Sequence, residues 1–112
     1  MMDLKTFSLT DFEASAGKAA GLLRTLGNEK RLMILCQLGE GELQAGALQD
    51  PLGLSQSALS QHLAVLREAG VVATRRDGQT IWYRIADPAA VQIIATLAAI
   101  FCPDKPIRRK RK

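Results

Sequence analysis

Aromatic side chains make up only 4% of this 112-residue chain, so its core must be assembled from Leu, Ile, Val and Ala. No apolar run approaches the roughly 18 residues that a membrane-spanning helix needs, which argues against a membrane partner. No basic segment followed by an apolar stretch opens the sequence, so no secretory signal is read and a cytoplasmic address is expected. The single histidine, His62, has no thiol or acid cluster around it that could complete a four-ligand metal site. There is no Cys-x-x-Cys pair of the kind used by thiol oxidoreductases, although the chain does hold two cysteines, Cys36 and Cys102. With 47% hydrophobic and 23% charged residues the composition is that of a globular domain. A chain of this length is expected to be a binding module and not an enzyme, with no cofactor.

The net charge of +4 is unevenly distributed. Lys105, Arg108, Arg109, Lys110, Arg111 and Lys112 stand against Asp104 alone, so the last nine residues hold +5 and the preceding 103 only −1. Two regions are expected: a folded domain over 1–103, and a disordered basic tail over 104–112 that adds sequence-independent phosphate contacts. Overall basicity therefore says nothing about the folded part, and a case for nucleic-acid binding must rest on local placement.

Residues 12–26 form a helical pattern after Asp11, a candidate cap, with a small-residue apolar stripe that packs either in the core or against a second subunit. Asn28 caps a second helix, EKRLMILCQL, ended by Gly39. A short third helix is expected over Gly46–Leu52, started or interrupted near Pro51. Ser55 opens a fourth, SQSALSQHLAVLREAG, stopped by Gly70, with Leu59, Leu63 and Leu66 turned to the core. Asp77-Gly78 between VVATRR and QTIWYRI is a hairpin signal. Asp87-Pro88 starts a last helix, AAVQIIATLAAIFC, apolar on so many sides that burial against another subunit is expected, and Pro103 ends it. The order α-α-α-α-β-β-α is a mainly helical fold with a β-hairpin wing, the winged helix–turn–helix arrangement.

If Leu59, Leu63 and Leu66 point inward, the fourth helix presents Gln56, Ser57, Ser60, Gln61, Ala64 and Arg67 on its other side. Solvated faces usually mix Lys with Glu, whereas this one is short-chained and holds no acid before Glu68. Gln pairs bidentately with adenine and Ser meets bases or phosphates, so the face suits a major groove. His62 falls between that face and the core stripe, where it is either structural or a phosphate contact. Arg75, Arg76 and Arg84 flank the hairpin turn, where they either reach a DNA backbone or minor groove or solubilise an exposed strand edge.

LSQSALSQHLAVLREAGVV followed by TRRDGQTIWYRI resembles the recognition helix and wing of the ArsR family of bacterial winged-helix repressors, and LGNEKRLMIL resembles the start of that family's second helix. The resemblance covers about residues 18–102. It implies a homodimer joined through the first and last helices, bound to an inverted-repeat DNA operator and released by a small effector. Many members sense metals. Here GELQAGALQD holds no thiol pair and the last helix holds no histidine, so no metal site is expected.

Free cysteines in apolar helices are usually inert core residues. The placement of Cys36 in the second helix and Cys102 at the end of the last nevertheless resembles the persulfide-sensing, BigR- and SqrR-type branch of that family, whose layout HlyU-type regulators share. That resemblance implies that reactive sulfur species or oxidants link the two thiols and release the operator. It also leaves open an activator of the same fold that counters a silencing protein. The remaining alternatives are a thiol enzyme and a protein-interaction module that kept the winged fold and lost DNA binding. Lys30 and Arg31, about a turn and a half before Cys36, are candidates for lowering its pKa.

Overall fold

The computed structural model describes residues 8–102. Its elements are α1 (Leu9–Leu26), α2 (Glu29–Leu38), β1 (Leu43–Gln44), α3 (Ala45–Leu52), α4 (Gln56–Glu68), β2 (Val72–Asp77), β3 (Thr80–Ile85) and α5 (Pro88–Phe101). The four helices, the hairpin and the final helix follow the expected order and make a winged helix–turn–helix fold. The tail 104–112 lies outside the described residues.

Leu residues dominate the interior, as the shortage of aromatics requires. Ile34, Leu35 and Leu38 of α2, Leu48 and Leu52 of α3, and Leu59, Leu63 and Leu66 of α4 are buried together with Val71, Val72, Ala90 and Ile94. Among the described residues no polar or charged side chain is buried. Each fully buried Leu contributes about 1.5–3 kcal/mol relative to exposure, so this cluster fixes how α4 sits on α2 and α3.

The end of α4 is set by a Schellman motif. Gly70, at φ +77°, donates from its N–H to Arg67 O at 3.0 Å, and Val71 N–H donates to Leu66 O at 2.9 Å. Val71 and Leu66 are both 0% exposed, the apolar contact that accompanies such a cap. The chain thus leaves the helix at a fixed angle and enters β2 with Val72 on the core.

Several boundaries differ from those read in the sequence. Ser8, not Asp11, caps α1: its Oγ accepts from the Asp11 N–H at 3.2 Å, so Asp11 lies in the first turn. Helix α3 starts at Ala45, and Pro51 lies inside it, in its last turn. The hairpin turn is Gly78-Gln79 and not Asp77-Gly78, because Asp77 pairs with Thr80 as the last rung of the ladder. Gly78 at φ +65° provides the positive backbone angle that a two-residue hairpin turn needs. A third strand was not expected. β1 is only two residues long, and it pairs antiparallel with β3 (Leu43 with Tyr83, Gln44 with Trp82) to give the order β1-β3-β2. Cys102 lies one residue beyond α5, as its C-cap.

The terminal helices are incompletely covered by the rest of the chain. Only Leu26 of α1 and only Ala90 and Ile94 of α5 are buried. Leu9, Leu23, Ile100 and Phe101 are 74%, 59%, 59% and 75% exposed.

Candidate nucleic-acid interface and thiol pair

Ser55 begins the candidate interface by capping α4, its Oγ accepting from the Ala58 N–H at 3.1 Å. The i, i+4, i+7 spacing of Leu59, Leu63 and Leu66 then rotates the helix so that Gln56, Ser57, Ser60, Gln61, Ala64 and Arg67 are exposed along its outer side. His62 is half-buried at the edge of that face. No acid lies among the outward residues from Gln56 to Arg67. Ser60, Leu63, Ala64 and Arg67, with Glu68 at the end of the helix, line an open cleft of about 520 Å³ whose other side is Tyr83 of β3. The helix and the hairpin therefore present adjoining surfaces.

Strand alternation sorts the hairpin arginines. Arg76 pairs with Ile81 and shares a face with Tyr83, the face turned to α4. Arg75 pairs with Trp82 and Arg84 with Ala73, so both belong to the opposite face. Arg76 and Arg84 are exposed. Arg75 is engaged. Its Nε donates to both Glu42 carboxylate oxygens at 3.0 and 2.9 Å, and its Nη2 donates to Oε1 at 2.8 Å. Its guanidinium carbon also lies 5.5 Å from the centroid of the Trp82 ring. Hydrogen bonding from Arg75 holds the Glu42 carboxyl below its ordinary range. Trp82 Nε1 is buried with no hydrogen-bond partner. Glu42 and Trp82 were not singled out in the sequence, because Glu42 and Arg75 lie 33 residues apart and no local pattern joins them.

The thiols are placed differently from inert core cysteines. Cys36 and Cys102 are both exposed. Cys36 opens on a cavity of about 350 Å³ walled by Ile85 of β3 and by Val91, Ile94 and Ala98 of α5. Partial burial raises the Cys36 thiol above its ordinary value, and the charge of Cys102 adds to the rise. Cys102 thus acts on Cys36, although 66 residues separate them along the chain. The expectation that Lys30 and Arg31 lower the Cys36 pKa fails: the thiol is raised by burial and by Cys102, and both cationic side chains reach away to backbone carbonyls. Lys30 Nζ donates to Leu52 O at 3.2 Å, and Arg31 Nε donates to Thr25 O at 2.6 Å.

Among the described residues no group of three or more His, Cys, Asp or Glu could hold a metal ion, and no helix is long and apolar enough to cross a membrane.

Comparison with known proteins points the same way. The family of bacterial regulatory proteins described as arsR matches residues 28–74. The biofilm growth-associated repressor of Xylella fastidiosa is 46% identical over 92 residues, 82% of this chain and 81% of that protein. The transcriptional activator HlyU of Vibrio cholerae is 44% identical over 95 residues, 85% of this chain and 88% of that protein. The structure of reduced HlyU superposes with a TM-score of 0.79 at 45% identity, covering 84% of this chain and 99% of that one. The solution structure of a homodimeric winged helix–turn–helix DNA-binding domain from Mycobacterium bovis, a possible ArsR-family regulator, has a TM-score of 0.69 at 27% identity, covering 89% and 91%.

Proposed function

The chain belongs to the ArsR family of bacterial regulatory proteins, whose members here are transcriptional regulators and not enzymes, and on that premise we propose that it is a homodimeric repressor with a dithiol switch. The observation that most supports DNA reading is the acid-free Ser/Gln face of α4, exposed over a buried Leu stripe and adjoined by the hairpin. Gln56, Ser57, Ser60 and Gln61 meet base edges, Arg67 and His62 reach phosphates, and Arg76 and Arg84 extend the contact from the wing.

The apolar surface left on α1 and α5 supports dimerisation: a second copy covers the exposed Leu9, Leu23, Ile100 and Phe101. A two-fold dimer sets its two copies of α4 about one DNA turn apart and selects an inverted-repeat operator.

Cys36 and Cys102 are the switch. With a polysulfide donor as the two-electron oxidant, one thiolate attacks a donor S–S bond and expels a shortened sulfur anion. The other thiolate attacks the sulfur left on the first cysteine and expels a second, leaving a disulfide or a bridge with added sulfur. A peroxide gives the plain disulfide through a sulfenic acid, releasing water. The link joins α2 to the end of the dimerising helix, and a rotation at that joint alters the spacing of the two reading helices. A coupling of about 1–3 kcal/mol suffices to release the operator. The exposure of both thiols and the effect of Cys102 on Cys36 support this reading. A relative that is a transcriptional activator supports a second one, in which DNA binding displaces a silencing protein.

The test is operator affinity before and after treatment with a polysulfide donor. Affinity is expected to fall in the wild type and to stay constant in Cys36→Ser. An unchanged wild type removes the switch and leaves DNA binding in place. Mass spectrometry of the treated protein separates an added-sulfur bridge from a plain disulfide or a sulfenic acid.

A further inference from the structure

Arg75 is one of three hairpin arginines, and together with Arg84 it lies on the face of the sheet turned away from α4. Its cross-strand partner is Trp82, while Tyr83, the next residue of β3, lines the cleft beside α4. Alternation along a strand sends neighbouring side chains to opposite faces, so Arg75 points away from the groove between helix and wing. There it is gripped in a bidentate pair by Glu42, the residue immediately before β1, and it lies over the Trp82 ring. β1 contributes only two residues to the sheet, so backbone pairing alone holds that edge weakly.

We propose that Glu42 is a positioning residue for DNA recognition: through Arg75, clamped over Trp82, it fixes the pose of the wing relative to the helical body. The inference rests on the DNA-reading proposal for its functional meaning, though the clamp itself does not. The alternative is that Glu42 masks Arg75, which would otherwise bind phosphate. The two differ in sign. A clamp makes Glu42 favourable for recognition, and a mask makes it unfavourable.

The experiment compares the full chain with Glu42→Gln, and with the charge swap Glu42→Arg plus Arg75→Glu. The probes are a duplex that the wild type enriches from a random-sequence pool and a scrambled duplex of the same composition. Glu42→Gln is expected to bind the enriched duplex about three- to five-fold more weakly, the scale of one well-formed exposed ion pair, with no change on the scrambled one. The charge swap is expected to recover only part of that loss, because it restores the ion pair but replaces the cation over the Trp82 ring with a carboxylate. Tighter binding of Glu42→Gln to both duplexes, with a steeper salt dependence, would establish the mask and overturn the clamp. Equal losses on both duplexes, or no change on either, overturn it as well.

A second readout needs no DNA. Trp82 is the only tryptophan in the chain. Acrylamide quenching of its fluorescence is expected to increase in Glu42→Gln as Arg75 leaves the ring, and unchanged quenching overturns the clamp. Should the wild type enrich no duplex at all, the DNA-reading proposal fails while quenching still decides the clamp.

Discussion

Oxidising the protein so that Cys36 and Cys102 join in a direct disulfide is expected to raise its melting temperature, and the size of the rise measures the strain available for switching. The bond would close a loop of about 66 residues, and removing that much freedom from the unfolded chain stabilises the native state by about 4 kcal/mol if the bond forms without strain. Releasing DNA requires the linked form to differ from the DNA-bound form by about 1–3 kcal/mol. Subtracting this leaves a net stabilisation of about 1–3 kcal/mol, which for a domain of this size raises the melting temperature by roughly 5–15 °C. The assay is a thermal melt followed by circular dichroism at fixed protein concentration, with and without oxidant, then after reduction. Cys36→Ser should show no oxidant-dependent shift. Two results would refute the reasoning. One is a covalent dimer on a non-reducing gel in place of an intramolecular link. The other is a melting temperature that falls on oxidation, which would mean that the sulfurs meet only by breaking the packing of α2 against α5.

Two further predictions follow from the same geometry. Alkylation of Cys36 by iodoacetamide should rise with pH through a midpoint above the ordinary thiol range, and Cys102→Ser should bring that midpoint only part of the way down, because burial is the larger cause. By linkage, the raised value costs no stability below the ordinary thiol pKa and destabilises the fold as pH rises through it; an identical profile in Cys102→Ser would show that the thiols do not interact. Gly70→Ala places a Cβ in the left-handed region at φ +77° and should cost about 1–2 kcal/mol, read as a lower midpoint in urea denaturation, whereas an unchanged midpoint would show that the cap does not set the end of α4.

Patterns that repeat within one helix or across one turn were legible in the sequence. The spacing of Leu59, Leu63 and Leu66 located both the buried stripe of α4 and, by difference, the exposed Gln and Ser side chains. Asn28, Ser55 and Asp87 were found as caps because a cap acts on an N–H only two or three residues away. Placement failed where the determinant lay elsewhere in the chain. The Asp77-Gly78 pair signalled a hairpin but not its register, since the ladder, and not the dipeptide, decided that Asp77 would pair with Thr80. β1 was missed because two residues carry no alternation to read. The ion pair of Arg75 was not legible because its carboxylate partner, Glu42, lies 33 residues away, just before β1. The resemblance found the thiol pair, while the exposure that makes it chemically available came only from the packing of α2 against α5.

The most direct measurement of whether α4 reads base edges is a parallel selection of duplexes from one random pool by the wild type and by Gln61→Ala. The wild type should enrich an inverted repeat. The substituted protein should enrich the same spacing while losing preference at one position in each half-site, worth about 1–3 kcal/mol of discrimination. Identical enriched sequences with identical discrimination would contradict the assignment of this helix as the reading element.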